Sequence, residues 1–153
     1  MIQQFAGLSQ EEQQAMVDAV PLITLLIAGA DGDIDSAELE WSKKLTDIRS
    51  YSTADDHTEA YYQLVGETFE GRVNGLLLEL PGDQKAREAE ITNRLSTLND
   101  ILPKLEANLG QYFHKSFVSF AQHVAKASGG FLGMGSISSE EAEFISLPMI
   151  QPL

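Results

Sequence analysis

Cysteine is absent from this 153-residue chain, which excludes disulfides, thiolate nucleophiles and Cys-ligated zinc. The same absence fits a reducing compartment. Cations are scarce: ten Lys and Arg stand against 23 Asp and Glu, a formal charge of −13. A field of that sign repels nucleic acid and anionic lipid, and it favours cations or a basic protein surface. Long apolar runs are missing too. The longest, Ala19 to Ala30, has 12 residues and contains Pro21, whereas a membrane-spanning helix needs about 20. Met1–Phe5 lacks the basic and apolar regions of a secretory signal. No segment alternates apolar and polar residues over strand length. These absences lead to an expectation of one all-α, cytoplasmic domain spanning residues 1–153, long enough to bury about two thirds of its unfolded surface.

Helical signals are plentiful. Ser9-Gln10-Glu11-Glu12 has the S-x-x-E form of a capping box, so a helix opens there and runs toward Val20. Pro21 suits a new first turn or a kink, because it has no N–H for an interior position. Residues 21–30, apolar nearly all round, predict a central buried helix. Ala37, Trp41, Leu45 and Ile48 fall on one stripe and predict a half-buried helix over 36–50. Ser52 to Asp56 reads as a loop with a new N-cap. A third apolar series from Tyr61 to Leu80 contains Gly66, Gly71 and Gly75, which predict a break or kink within it. Pro81-Gly82-Asp83 marks a turn ending in a cap. Leucine and isoleucine at helical spacing fill residues 84–109, with Pro103 at a boundary. Phe113, Phe117, Phe120 and Val124 form a tight stripe over 111–127, read as core. Gly129 to Ser136 reads as a glycine-rich loop, and Ser138 as the cap of a last helix reaching about Ser146. The loop lacks a P-loop lysine and follows a helix, so it is a connection and not a phosphate cradle.

His114 and His123 lie nine residues apart, nearly opposite each other on a helix, and cannot share a metal. Each is read as a partly buried side chain beside the Phe stripe. His57, next to Asp55, Asp56 and Glu59, reads as a surface cluster. No local grouping points to a catalytic triad, and no enzymatic activity is expected.

The run Asp31-Gly32-Asp33-Ile34-Asp35-Ser36-Ala37-Glu38-Leu39-Glu40 holds five carboxylates and no cation. A degenerate echo helps to divide its roles. Ala28 to Gly32 matches Ala125 to Gly129 at an offset of 97, and Asp33 to Glu38 matches Ser136 to Glu141 at an offset of 103. Both copies place an Ile before a D-x-x-E or S-x-x-E box. Asp35 and Glu38 are therefore explained as an N-cap and its reciprocal N3 acid. Asp31 and Asp33 have no such explanation, since serines stand at the corresponding positions Ser128 and Ser136.

Asp31, Asp33 and Asp35 fit the first three ligand positions of an EF-hand loop. Ser36 stands where the turn glycine belongs and Ser42 where the closing bidentate Glu belongs, which rejects a standard EF-hand. A looser oxygen site of Asp31, Asp33, Asp35 and Glu38 would suit Ca²⁺, Mg²⁺ or Mn²⁺. The alternative is a capping turn with solvated charges, in a chain that serves as a protein-protein interaction scaffold.

The pattern Ala-Gly-Ala-Asp-Gly-Asp-Ile-Asp-Ser-Ala-Glu after an apolar helix, with its echo near the C-terminus, resembles the tellurite-resistance TerB-like family. The match is most specific over residues 22–48, and extends more weakly to 115–145. That resemblance implies a compact bundle of about seven helices with a pseudo-repeated helix-turn-helix pair. It also implies a bacterial cytoplasmic stress-response module, without established catalysis, placed near membrane-bound and cation-binding partners. The acidic turn carries the family's candidate metal site onto Asp31, Asp33, Asp35 and Glu38. The departures at Ser128, Ser136 and Ser138 argue against a second, symmetrical site.

Overall fold

The computed structural model of the protein describes residues 2–29, 36–50, 58–106, 108–131 and 144–153, with the backbone alone at 36–38, 41, 49–50 and 127–131. All regular structure among the described residues is helical. The elements are α1 (Gln10–Ala28), α2 (Ser36–Ser50), α3 (Glu59–Glu79), α4 (Gln84–Ser96), the four-residue α5 (Leu98–Ile101) and α6 (Leu109–Phe131). Five of these have 13 to 23 residues.

The local signals that act through the backbone work as expected. The Ser9 hydroxyl accepts from the Glu12 N–H at 3.1 Å, and the Ser9 N–H donates to the Glu12 carboxylate at 2.9 Å. The Lys104 ammonium, then the Ser9 amide, hold the Glu12 carboxyl below its ordinary value of 4.5. Asp83 caps α4 by accepting from the Ala86 N–H at 3.0 Å. Helix α2 starts at Ser36, where the D-x-x-E box places it.

Helix α1 is the centre of the bundle. Every residue from Met16 to Gly29 is buried, and α2, α3, α4, α5 and α6 all pack on it. Pro21 corrects the expected division, because α1 passes straight through it. Proline removes the N–H that would reach the Val17 carbonyl and costs about 3 kcal/mol in an exposed helix. Burial of the surrounding apolar side chains outweighs that cost here. The Thr24 hydroxyl is satisfied within the helix, donating to the Val20 carbonyl at 2.9 Å.

The glycines of α3 produce no break; the helix runs unbroken from Glu59 to Glu79. Tyr61, Tyr62, Val65, Phe69, Val73 and Leu76 are buried along it, and that anchoring offsets the low helix propensity of glycine. Gly71 is exposed, and a Cβ built there meets nothing within 4 Å. Gly71→Ala is therefore expected to stabilise the protein by about 0.5–1 kcal/mol. Urea denaturation checks this, and a loss of stability would contradict the open surroundings. Gly110 differs: its Cβ would stand 2.6 Å from the Leu102 carbonyl oxygen, so the close approach of that turn to α6 requires glycine.

Helix α2 buries Leu45 as expected but not Ile48, and the side chains of Ala37 and Trp41 lie outside the described residues. Ser42, Leu45 and Thr46 point inward and Leu39 is half-buried, whereas Ile48 is 57% exposed. Ile48 lies nine residues beyond Leu39, about 180° round the helix at 100° per residue. The inward hydroxyl of Thr46 donates to the Ser42 carbonyl at 2.8 Å, so small polar residues take inner positions that an apolar count assigns elsewhere. Helices α2 and α3 run antiparallel: Thr46 and Asp47 adjoin Gly66, while Leu39 and Lys43 adjoin Phe69 and Val73.

Helix α6 carries the Phe stripe as expected, with Phe113, Phe117, Phe120 and Val124 fully buried. It continues through Gly129 and Gly130 to Phe131, which corrects the expected start of the glycine loop. Phe144–Ser146 is a turn, and the rest of the helix expected from Ser138 lies outside the described residues. Leu147 follows with φ 48°, a strained backbone for a branched residue, and its side chain is fully buried. Asn99 ties this tail to α5, donating to the Met149 carbonyl at 2.9 Å and accepting from the Gln151 N–H at 2.7 Å.

Candidate functional site

Asp31, Asp33 and Asp35 lie outside the described residues, as do His57, Ser136, Ser138 and Glu141. Glu38 sits in the first turn of α2, where only the backbone is described. Among the described residues, no three His, Asp or Glu side chains are grouped to hold a metal ion. His114 is half-buried as expected, with its ring nitrogen 3.3 Å from the Ile150 carbonyl oxygen. His123 is exposed, contrary to expectation, and its Nδ1 lies 2.7 Å from the Ser119 carbonyl oxygen. Gln122 is exposed with it, whereas Ala121 and Val124 are buried, so His123 lies off the edge of the Phe stripe.

The most highly charged described site centres on Asp18, a residue the apolar pattern passes over. Its carboxylate accepts from Arg72 Nε at 2.9 Å and Arg72 Nη2 at 3.0 Å, a bidentate fork. Gln14 Nε2 adds a third bond at 2.9 Å. The chain of charges continues through Arg72 to Glu79 at 3.6 Å, Glu79 to Arg94 at 3.6 Å, and Arg94 to Glu90 at 3.0 Å. It thereby joins α1, α3 and α4. The Asp18 side chain is only 12% exposed, so the pairing offsets a substantial desolvation cost. Asp18 in turn raises the pKa of Arg72, which keeps that guanidinium charged at any working pH. The sequence signal was present: Asp18 is a lone acid inside Met16-Val17-Asp18-Ala19-Val20. Its partner is 54 residues away, and no local pattern identifies it.

A cleft of about 300 Å³ opens beside this network, floored by Ala15 and Leu22 and edged by Asp18 and Arg94. Both oxygens of Asp18 are engaged, so it is not a free base there. A second cleft, of about 430 Å³, lies between Gln3–Leu8 and Lys104–Leu109. A third, of about 240 Å³, lies between α2 and α3. Behind them Tyr61 donates to the Met16 carbonyl at 2.6 Å, and burial pushes its hydroxyl well above the ordinary range. Among the described residues, no helix is long and apolar enough to cross a membrane.

Searches of family models, of curated proteins and of solved structures return no match to this chain.

Proposed function

We propose that this chain is a non-enzymatic, TerB-like stress-response module that binds a divalent cation, Ca²⁺, Mg²⁺ or Mn²⁺, through Asp31, Asp33, Asp35 and Glu38. The supporting observation is the carboxyl end of α1. That helix ends at Ala28, and its last turn contains no basic residue. The final carbonyls of a helix carry partial negative charge, and a cation is favoured beside them by about 0.3–1 kcal/mol. In the sequence the next charged residues are Asp31 and Asp33, which have the wrong sign for that position. A bound divalent ion would reverse the local balance. In the sequence Asp35 directly precedes α2 and Glu38 falls in its first turn, where acids are favourable without any ion. The family reading also carries the about seven helices and the pseudo-repeated pair as part of this proposal.

Calorimetric and thermal-shift titrations with each ion test the reading. Wild-type protein is expected to gain about 2.7 kcal/mol at a hundredfold excess over Kd, and Asp31→Asn/Asp33→Asn to lose the response. Silence of the wild type toward all three ions overturns the proposal.

A further inference from the structure

We infer that the groove between α2 and α3 is a docking site for a cationic amphipathic helical segment of another protein. This goes beyond the cation reading and does not depend on it. The floor is apolar: Phe69 and Val73 are buried, and Leu39 of α2 closes one side. Leu77 continues the stripe one turn beyond Val73, and Leu78, 90% exposed, stands one turn beyond the rim residue Asn74. Because α2 is antiparallel and begins at Ser36, the backbone of its first turn falls near this end of α3.

The dimensions select the kind of occupant. A volume of about 240 Å³ is below the roughly 300–1,000 Å³ of small-molecule sites. It accepts one or two apolar side chains. Phe69 to Leu77 spans nine residues of α3, about 12 Å over the eight rises of 1.5 Å between them. That length matches two or three turns of a helix inserting apolar anchors at i and i+4, a common helix-in-groove arrangement.

Charge selects its composition. Glu40 and Glu70 stand exposed on opposite rims. The rim cation, Lys43, is already paired with Asp47 at 3.6 Å. A second copy of this chain would bring another −13 of charge to an acidic rim, so it is a poor occupant. A partner with lysines or arginines flanking its leucines satisfies both the floor and the rim.

The test uses a fluorescent helical peptide with leucines at i and i+4 between lysines, titrated into the whole chain. Saturable one-to-one binding is expected, with amide shifts concentrated at Leu39, Glu70, Val73 and Leu77. Glu40→Lys/Glu70→Lys and, separately, Leu77→Ser/Leu78→Ser should each weaken it more than tenfold. All four positions are exposed or partly exposed, so the fold tolerates the changes. Asp100→Lys/Glu106→Lys makes the same charge change away from the groove and should leave affinity within about twofold. Equal weakening by that control, shifts elsewhere, or no binding by the wild type would each overturn the inference. So would a wild-type dimer that Leu78→Ser dissociates, because a second copy would then be the occupant.

Discussion

Arg72→Ala is expected to lower stability by about 3 kcal/mol. The substitution leaves Asp18 in the buried middle of α1 with only Gln14 as a side-chain donor. Breaking one partner of a buried pair costs about 3–5 kcal/mol, chiefly through the charge left uncompensated. The Arg72 side chain is 30% exposed, so water can partly replace the guanidinium, and the lower end of that range applies. Arg72→Lys keeps the charge but not the planar fork, and should lose less than the alanine variant. Adding Asp18→Asn to Arg72→Ala should restore part of the loss, because the buried charge is then gone. Urea denaturation of the four proteins measures each term. An alanine variant within about 0.5 kcal/mol of wild type, the range of ordinary surface changes, would show that the pair is an uncoupled surface contact.

Phe117→Ala should have an equal or larger effect, about 3–5 kcal/mol, the usual cost of deleting a buried aromatic ring. Phe117 is fully buried, and its ring stands 5.8 Å from both Tyr61 and Phe113. Those three rings join α6 to α3, so the cavity would open at a junction of helices and not at a margin. Rigid neighbours on both sides limit collapse, which is what places the expected cost high. At about 2–4 °C per kcal/mol for a domain of this size, the melting temperature should fall by roughly 10 °C. Phe117→Leu preserves most of the volume and should cost less than half as much. If the alanine variant is too unstable to purify, the leucine variant still reports the ring contribution. Equal melting temperatures for alanine and wild type would contradict the packing described.

Signals acting within a few residues proved readable from the chain. The Ser9–Glu12 box, the Asp83 cap, the start of α2 and the Phe113–Val124 stripe depend on neighbours one or two turns away. Expectations failed where a local penalty met a distant compensation. Pro21 and the α3 glycines each disfavour a helix by amounts that intrinsic propensity records. The surrounding burial exceeds those amounts, and burial depends on elements far off in sequence. Ile48 failed for a related reason, since the inward face of α2 was decided by what α3 presents to it.

The candidate sites divide along the same line. The surplus charge of Asp31 and Asp33 was legible, because it needs only composition and the echo at Ser128 and Ser136. The Asp18–Arg72 fork was not, because it joins residues 54 apart.

By itself, the sequence determined the all-α class, the starts of α1, α2 and α4, and the strongly acidic character. Caps and periodicity are short-range, and net charge is a sum, so none of these needs a fold. Only the tertiary structure decided that α1 runs through Pro21, that Asp18 is neutralised by Arg72, and that an apolar groove with an acidic rim lies between α2 and α3. Those outcomes depend on which helix faces meet, and that is settled by the burial of all of them together.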